Sequence, residues 1–303
     1  MIHRLGVDCG YGDAHILVAP QTMSTLSATS KLRQQVLGYP VDTVDEPLAL
    51  EIIEEAWRNQ RGLHIVTLNA EMVIAAQKDQ TLDRIVRHAH LIIPDGSGVV
   101  WAMRLHGTKA DRLPGIELAQ STLSAAAAKN VKVALIGGKP EVLAKIEATL
   151  PIKHPGLNIV AAQNGYFSAD EEEELIERVA EAQPELVLVA LGVPKQEFFI
   201  DKWQQAFPKA VLVGVGGSFD VWAGVVKRAP LPFRKLHLEW FYRLLCEPWR
   251  FRRMGSALPS FAMQVLQEAA ESKLAHESGH GERREKSRKA KSHDKSKERS
   301  KDK

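Results

Sequence analysis

From Gln35 to about Val225 the chain alternates short runs rich in β-branched and aliphatic residues with longer stretches of helical periodicity. That alternation restricts the fold more than any other feature, because strand, helix, strand in succession is the building unit of a mainly parallel sheet. Six runs read as strands: His64 to Leu68, His90 to Ile93, Val131 to Ile136, Leu157 to Ala161, Glu185 to Ala190 and Ala210 to Val215. Helical patterns fall between them, among them Ala70 to Lys78, Ile116 to Lys129, Glu141 to Leu150, Ala169 to Ala182 and Lys195 to Phe207. The expected fold is α/β, a Rossmann-like, mainly parallel sheet with flanking helices, followed by a C-terminal helical appendage.

Composition sets the boundaries. Residues 1–34 lack a sustained period and read as a poorly ordered extension, 35–230 as the α/β core, 231–275 as the helical appendage and 276–303 as a disordered basic tail. The formal net charge of +3 conceals an asymmetry: residues 271–303 hold 12 Lys/Arg against 7 Asp/Glu, and residues 233–254 hold 6 against 2. Everything else is therefore net acidic, and the concentrated positive charge at the C-terminal end points to an anionic partner. No apolar run reaches the roughly 20 residues a membrane-spanning helix needs. Asp8 and Asp13 stand where a signal peptide needs an apolar stretch, so the expected location is the cytoplasm. Cys9 and Cys246 lie far apart and outside any CxxC pattern, which speaks against a disulfide framework or a structural zinc. Between Phe233 and Met254, Trp240, Phe241, Tyr242, Trp249 and Phe251 alternate with Arg and Lys. That composition suits a helix lying in a lipid headgroup layer. A core-packing stripe is the other reading, since Leu238, Phe241 and Leu245 sit at helical spacing.

In a parallel sheet the ligand sits beyond the carboxyl ends of the strands, so the residues just after each strand matter most. Thr67 and Asn69 close the first strand, Asp95 and Gly96 the second, Gly137 and Gly138 the third. Gln163, Asn164, Gly165 and Tyr166 close the fourth, Gly192, Pro194, Lys195 and Gln196 the fifth, and Gly216, Gly217 and Asp220 the sixth. Singly, each has a structural reading: Asp95 as a turn residue or helix N-cap, the glycine pairs as tight turns, Gln196 and Tyr166 as ordinary first-turn and turn residues. Together, six polar or glycine clusters on one rim would form a concave site able to approach a nucleotide and a sugar.

The order of the motifs resembles one family, the WecG/TagA/CpsF glycosyltransferases. The matching stretches are VLGYPVD from Val36, VTLNAEM from Val66, IPDGSGVVWA from Ile93 and DRLPGIEL from Asp111. They continue through LIGG, NGYF, LGVPKQE from Leu191, GVGGSFDVWAG from Gly214, KRAP from Lys227 and LEWFYRLLCEPWRFRR from Leu238. The resemblance covers residues 36 to about 255 and leaves both ends of the chain aside. It implies an inverting, metal-independent transferase without a cofactor, using a UDP-sugar donor and an undecaprenyl-diphosphate-linked sugar acceptor at the cytoplasmic membrane surface. Within the family the donor sugar is N-acetylmannosamine, its uronic acid or glucose. By motif, Asp95 falls on the proposed catalytic base, with Thr67 and Gln196 beside it in the catalytic set. Asn69, Arg112, Tyr166 and Asp220 fall on substrate-binding positions, to which the strand-end glycines Gly137, Gly138, Gly216 and Gly217 are added. Arg243, Arg250 and Arg253 fall on the arginines of an appendage that closes over the site.

The residues themselves agree on the chemistry, since a carboxylate in a partly dry cleft can take the proton of an attacking hydroxyl. No Asp-x-Asp motif is present to hold a divalent ion. Helix N-termini after Gly138 and Gly217, with arginines, are the expected source of charge stabilisation for departing UDP. An epimerase or dehydrogenase on a similar sheet would need a dinucleotide fingerprint and a Tyr-x-x-x-Lys or reactive Cys arrangement, and the chain has neither. A nucleic-acid-binding module would explain the basic tail but leave the strand-end clusters unexplained, so no specific nucleic acid is expected; homo-oligomerisation is compatible with the sequence. Truncation after Val226 is expected to leave a folded but inactive core.

Overall fold

The computed structural model describes residues 33–235, 239–246 and 254–272. An antiparallel hairpin comes first, β1 (Arg33–Val36) and β2 (Tyr39–Asp42), followed by α1 (Glu46–Arg58). The strands of the main sheet are β3 (Leu63–Leu68), β4 (Leu91–Pro94), β5 (Lys132–Gly137), β6 (Asn158–Gln163), β7 (Leu186–Ala190) and β8 (Val211–Gly214). Between them run α2 (Ala70–Ala76), α3 (Gln80–His88), α4 (Ser97–Leu105), α5 (Gly115–Lys129), α6 (Pro140–Lys153), α7 (Ala169–Glu181) and α8 (Lys195–Trp203). The chain closes with α9 (Ser218–Trp222), α10 (Leu231–Lys235), α11 (Glu239–Cys246) and the helical run 254–272, α12.

All six expected strands join one sheet in the order β4-β3-β8-β7-β5-β6, and every pairing is parallel. The fold class is therefore α/β with helices on both faces. Every residue of β3, β4, β7 and β8 is buried, as the continuous apolar runs require when both faces of a strand are covered. Alternate side chains sort the two faces. Leu63, Ile65, Val133, Leu135, Leu188 and Val213 pack with Ile53 of α1, Leu123 of α5 and Ile146 of α6. On the opposite face Val66, Leu68 and Ile92 meet Met72, Val73 and Leu82 of α2 and α3. Beside them Ile136, Val187, Val189 and Leu212 meet Ile176 of α7 and Ile200 of α8.

The helices start where side chains can accept the first free backbone N–H groups. Asp45 caps α1 by accepting from Leu48 N–H at 3.0 Å, Asn69 caps α2 by accepting from Met72 N–H at 3.0 Å, and Ser168 forms a reciprocal capping box with Glu171. The hairpin was not foreseen, and β1 opens within the stretch expected to be poorly ordered. Asp42, fully buried, pairs with Arg33 across the hairpin at 2.7 Å and ties it to the main sheet by accepting from Ile92 N–H of β4 at 2.8 Å.

Within the expected C-terminal helical appendage, α12 packs onto the core. Phe261 is 2% exposed and Val265 is fully buried, in one cluster with Val36, Leu68, Met72 and Val73. The tail expected over 276–303 and most of the extension expected over 1–34 lie outside the described residues.

Candidate active site

A cavity of about 760 Å³ opens at the carboxyl ends of β4, β3, β8 and β7, the four strands that are neighbours at one side of the sheet. Thr67, Asn69, Asp95, Arg112, Gln196, Gly216 and Gly217 all line it, with the strand-end residues Gly96, Gly192 and Pro194, so these residues singled out in the sequence converge. The clusters after β5 and β6 are not in its lining. Strand order explains the split, because β5 and β6 form the far edge of the sheet.

Asp95 sits where β4 gives way to α4, and its position is fixed from both ends. Its own N–H donates to Leu68 O and Ile93 O, each at 3.0 Å. Its carboxylate Oδ1 accepts from Gly115 N–H at the start of α5 at 3.2 Å and lies 3.4 Å from Arg112 Nη2, while Arg112 Nε donates to the Asp95 carbonyl. Gly115 is required here: a Cβ at that position would lie 2.8 Å from Thr67 Cγ2, so any side chain would drive α5 away from β3. Thr67 Oγ1 in turn donates to Gly214 O at 3.3 Å, tying the ends of β3 and β8 together.

Arg112 also reaches Glu239 Oε2 of α11 at 3.0 Å. Glu239 is 5% exposed, and Arg228 Nε stands 4.0 Å from its other oxygen; Arg228 also pairs with Glu117 of α5. A ladder of alternating charge thus runs from Asp95 through Arg112 to α11. Sequence reasoning passed over Glu239, one of two acids in the Arg- and aromatic-rich stretch 233–254, because nothing in that stretch points to its partner Arg112. Trp240, next to it, lines the cavity as well.

Gln196, 1% exposed, holds the turn after β8: its Oε1 accepts from Gly216 N–H at 2.9 Å, and its Nε2 donates to Glu197 Oε1 at 3.1 Å. Glu197 is fully buried, and its Oε2 has no hydrogen-bond partner among the described residues. Burial pushes its carboxyl up to about 7, against the hydrogen bonds from Gln196 and from its own backbone N–H.

The remaining expected residues lie elsewhere. Gly137 and Gly138 adopt φ of +116° and +71°, and Gly138 N–H donates to Ala190 O at 3.0 Å. That amide is therefore engaged by the strand end, and α6 begins with Pro140. Tyr166 is 67% exposed beyond β6, and Asp220 lies on α9, just past the cavity residues Gly217 and Ser218. Arg243 falls on α11; Arg250 and Arg253 lie outside the described residues. Phe241 and Leu245 are 40% and 59% exposed, which removes the core-stripe reading for those two side chains.

The cavity wall is chemically two-sided. Strand ends and loops supply its polar groups, while Ile74, Trp101, Leu258, Phe261 and Ala262 supply apolar surface, the last three from α12. Among the described residues no group of three or more His, Cys, Asp or Glu could hold a metal ion, and no helix is long and apolar enough to cross a membrane.

A doubly flanked parallel sheet with a polar cleft at its strand ends, holding a fixed aspartate and walled by α12, has the layout in which proteins of the α/β class bind their ligands. Comparison with known sequences narrows the class. The profile of the glycosyl transferase WecG/TagA/CpsF family matches residues 34–275, and the chain belongs to that family. It is 38% identical over 221 residues, 72% of this chain and 85% of the relative, to the N-acetylglucosaminyldiphosphoundecaprenol N-acetyl-beta-D-mannosaminyltransferase of Bacillus subtilis (strain 168). An enzyme of the same name from Bacillus spizizenii (strain ATCC 23059 / NRRL B-14472 / W23) is 38% identical over 243 residues, 79% of this chain and 93% of the relative. The expected family membership and glycosyltransferase activity are thus borne out.

Proposed function

We propose that the chain transfers N-acetylmannosamine from its UDP derivative to N-acetylglucosamine carried on undecaprenyl diphosphate, a step in building a cell-surface polysaccharide. The observation that carries this reading is the convergence of Asp95, Thr67, Asn69, Arg112 and Gln196 on one cleft, in a chain 38% identical to enzymes named for N-acetylmannosaminyl transfer to that acceptor. In the reaction, the acceptor oxygen attacks the anomeric carbon and its proton passes to Asp95. The bond from that carbon to the UDP oxygen breaks, and UDP departs with the electron pair. Arg112 keeps Asp95 in place, Thr67 and Gln196 act beside the reacting centre, and Asn69, Gly216 and Gly217 shape the donor pocket. Tyr166 and Asp220, on the same strand-end side, extend donor binding beyond the cavity wall; Gly137 and Gly138 support that edge by allowing close backbone approach. Arg243, Arg250 and Arg253 supply positive charge for the diphosphate.

The enzyme works at the inner face of the cell membrane without spanning it. Support comes from Trp240, Phe241 and Leu245, exposed on α11 within the Arg-rich segment. The test is a UDP-release assay with UDP-N-acetylmannosamine, its uronic acid and UDP-glucose, using a soluble prenyl-diphosphate N-acetylglucosamine acceptor, with and without EDTA. Acceptor-dependent release from UDP-N-acetylmannosamine supports the reading, and release confined to another donor reassigns the sugar. An absence of acceptor-dependent release from all three refutes it.

A further inference from the structure

Glu197 is a group that the proposed transfer leaves without a part. It is fully buried at the first turn of α8, one residue from Gln196, and one of its oxygens has no partner among the described residues. A carboxylate in that position costs stability, and an apolar side chain of the same size would avoid the cost. A purely structural role therefore does not account for it.

Its geometry does. A primary amide has one acceptor oxygen and two N–H donors, and the two ends of the Gln196 amide are engaged differently. The oxygen faces Gly216 N–H at 2.9 Å, and the nitrogen faces Glu197 Oε1 at 3.1 Å. Rotating the amide by half a turn would set nitrogen against N–H and oxygen against a carboxylate oxygen, two repulsive contacts in a buried place. Gly214 beneath leaves no room for a Cβ, which would meet both Gln196 Nε2 and Glu197 Oε1, so both side chains lie close against the bare end of β8.

We infer that Glu197 is a positioning residue, whose Oε1 locks the Gln196 amide with its oxygen on the Gly216 turn and so holds that wall of the cleft in the shape the bound sugar meets. The inference rests on the transferase reading of that cleft and adds to it a cause for the Gln196 orientation. It also separates two quantities that a structural residue would move together, since removing the carboxylate should improve folding while harming turnover.

The experiment compares the full chain with Glu197→Met, Glu197→Gln, Gln196→Ala and the double variant Gln196→Ala/Glu197→Met. Glu197→Met should melt no lower than the parent at pH 8, yet lose kcat by at least about tenfold with KM for the donor within about twofold. Glu197→Gln retains an acceptor oxygen and should keep kcat within about threefold of the parent. The double variant should be no slower than Gln196→Ala, because the carboxylate acts only through that amide. A readout independent of turnover is the side-chain NH2 resonance pair of Gln196, assigned by its loss in Gln196→Ala; Glu197→Met should move it to the position of a freely rotating amide. Parental kcat in Glu197→Met, additive slowing in the double variant, or an unmoved Gln196 resonance pair would each overturn the inference. If the parent itself transfers no sugar, the transferase reading falls, and the resonance pair still decides whether Glu197 holds the amide.

Discussion

Asp95 is held by contacts that leave it little freedom: a backbone N–H of α5 on its carboxylate, and Arg112 on both its carbonyl and its carboxylate. Such fixing suits a proton acceptor, which gains most when the reacting hydroxyl finds it already in place. Asp95→Asn preserves size and the Gly115 contact while removing the basic oxygen. Turnover should fall by a factor on the order of 10² to 10⁴, with UDP affinity by calorimetry nearly unchanged. A second residue-scale prediction concerns His64, at the opposite end of β3. Burial lowers its pKa to about 4 from 6.5, with His90 adding to the shift, and its Nε2 has no partner among the described residues. A base whose pKa is depressed by folding takes up its proton more readily when unfolded. The stability tied to its neutral form is thus present above pH 6.5 and is lost as the pH falls toward about 4. His64→Leu should flatten the fall in Tm across that interval; an acid limb identical to the parent's would assign the loss to other groups.

At the scale of elements, the ladder through Arg112 and Glu239 decides how α11 is attached. Arg112 and Glu239 side chains are 16% and 6% exposed, so breaking their contact takes from a largely buried guanidinium one of its two carboxylate partners, leaving Asp95 alone. Glu239→Ala should cost on the order of 3 kcal/mol in urea unfolding and make the chain around α11 easier to cleave in limited proteolysis. The elements differ in how readily the sequence shows them. Strands β3, β4, β7 and β8 announce themselves as apolar runs because both their faces are covered. The hairpin β1–β2 does not, since Gln34 and Gln35 are exposed and its tie to the main sheet is the Ile92 amide, a partner no local pattern reveals. Glu239 was missed for the same reason: its partner Arg112 is 127 residues away. The strand-end rule found Thr67, Asn69, Asp95, Gln196 and Gly216 because chemistry follows each strand in sequence. It could not tell that Gly138 and Tyr166 lie outside the cavity, because strand order is set by tertiary packing.

For the whole molecule, α12 is both a wall of the cleft and a part of the core. Removing everything after Val226 takes Phe261 and Val265 out of the cluster that holds β1, β3 and α2. That changes the expectation drawn from the sequence alone, of a core that folds normally without its C-terminal part. The truncated chain should be inactive and also melt well below the parent, with increased binding of a hydrophobic dye. A truncated chain with parental Tm would show that α12 contributes cover to the cleft and nothing to the core.

The strand order carries a further consequence, for the time course of folding. Strand β8, the last of the sheet to leave the ribosome, sits between β3 and β7 and joins a two-stranded piece to a three-stranded one. Until it is available the two pieces share no strand-to-strand hydrogen bonds, and contacts this distant along the chain form slowly. Nascent chains shorter than about residue 214 thus present two open edges on either side of an empty slot, the condition in which sheet proteins associate with the wrong partner. The cleft spans that slot, so binding competence arrives in a single late event rather than by degrees.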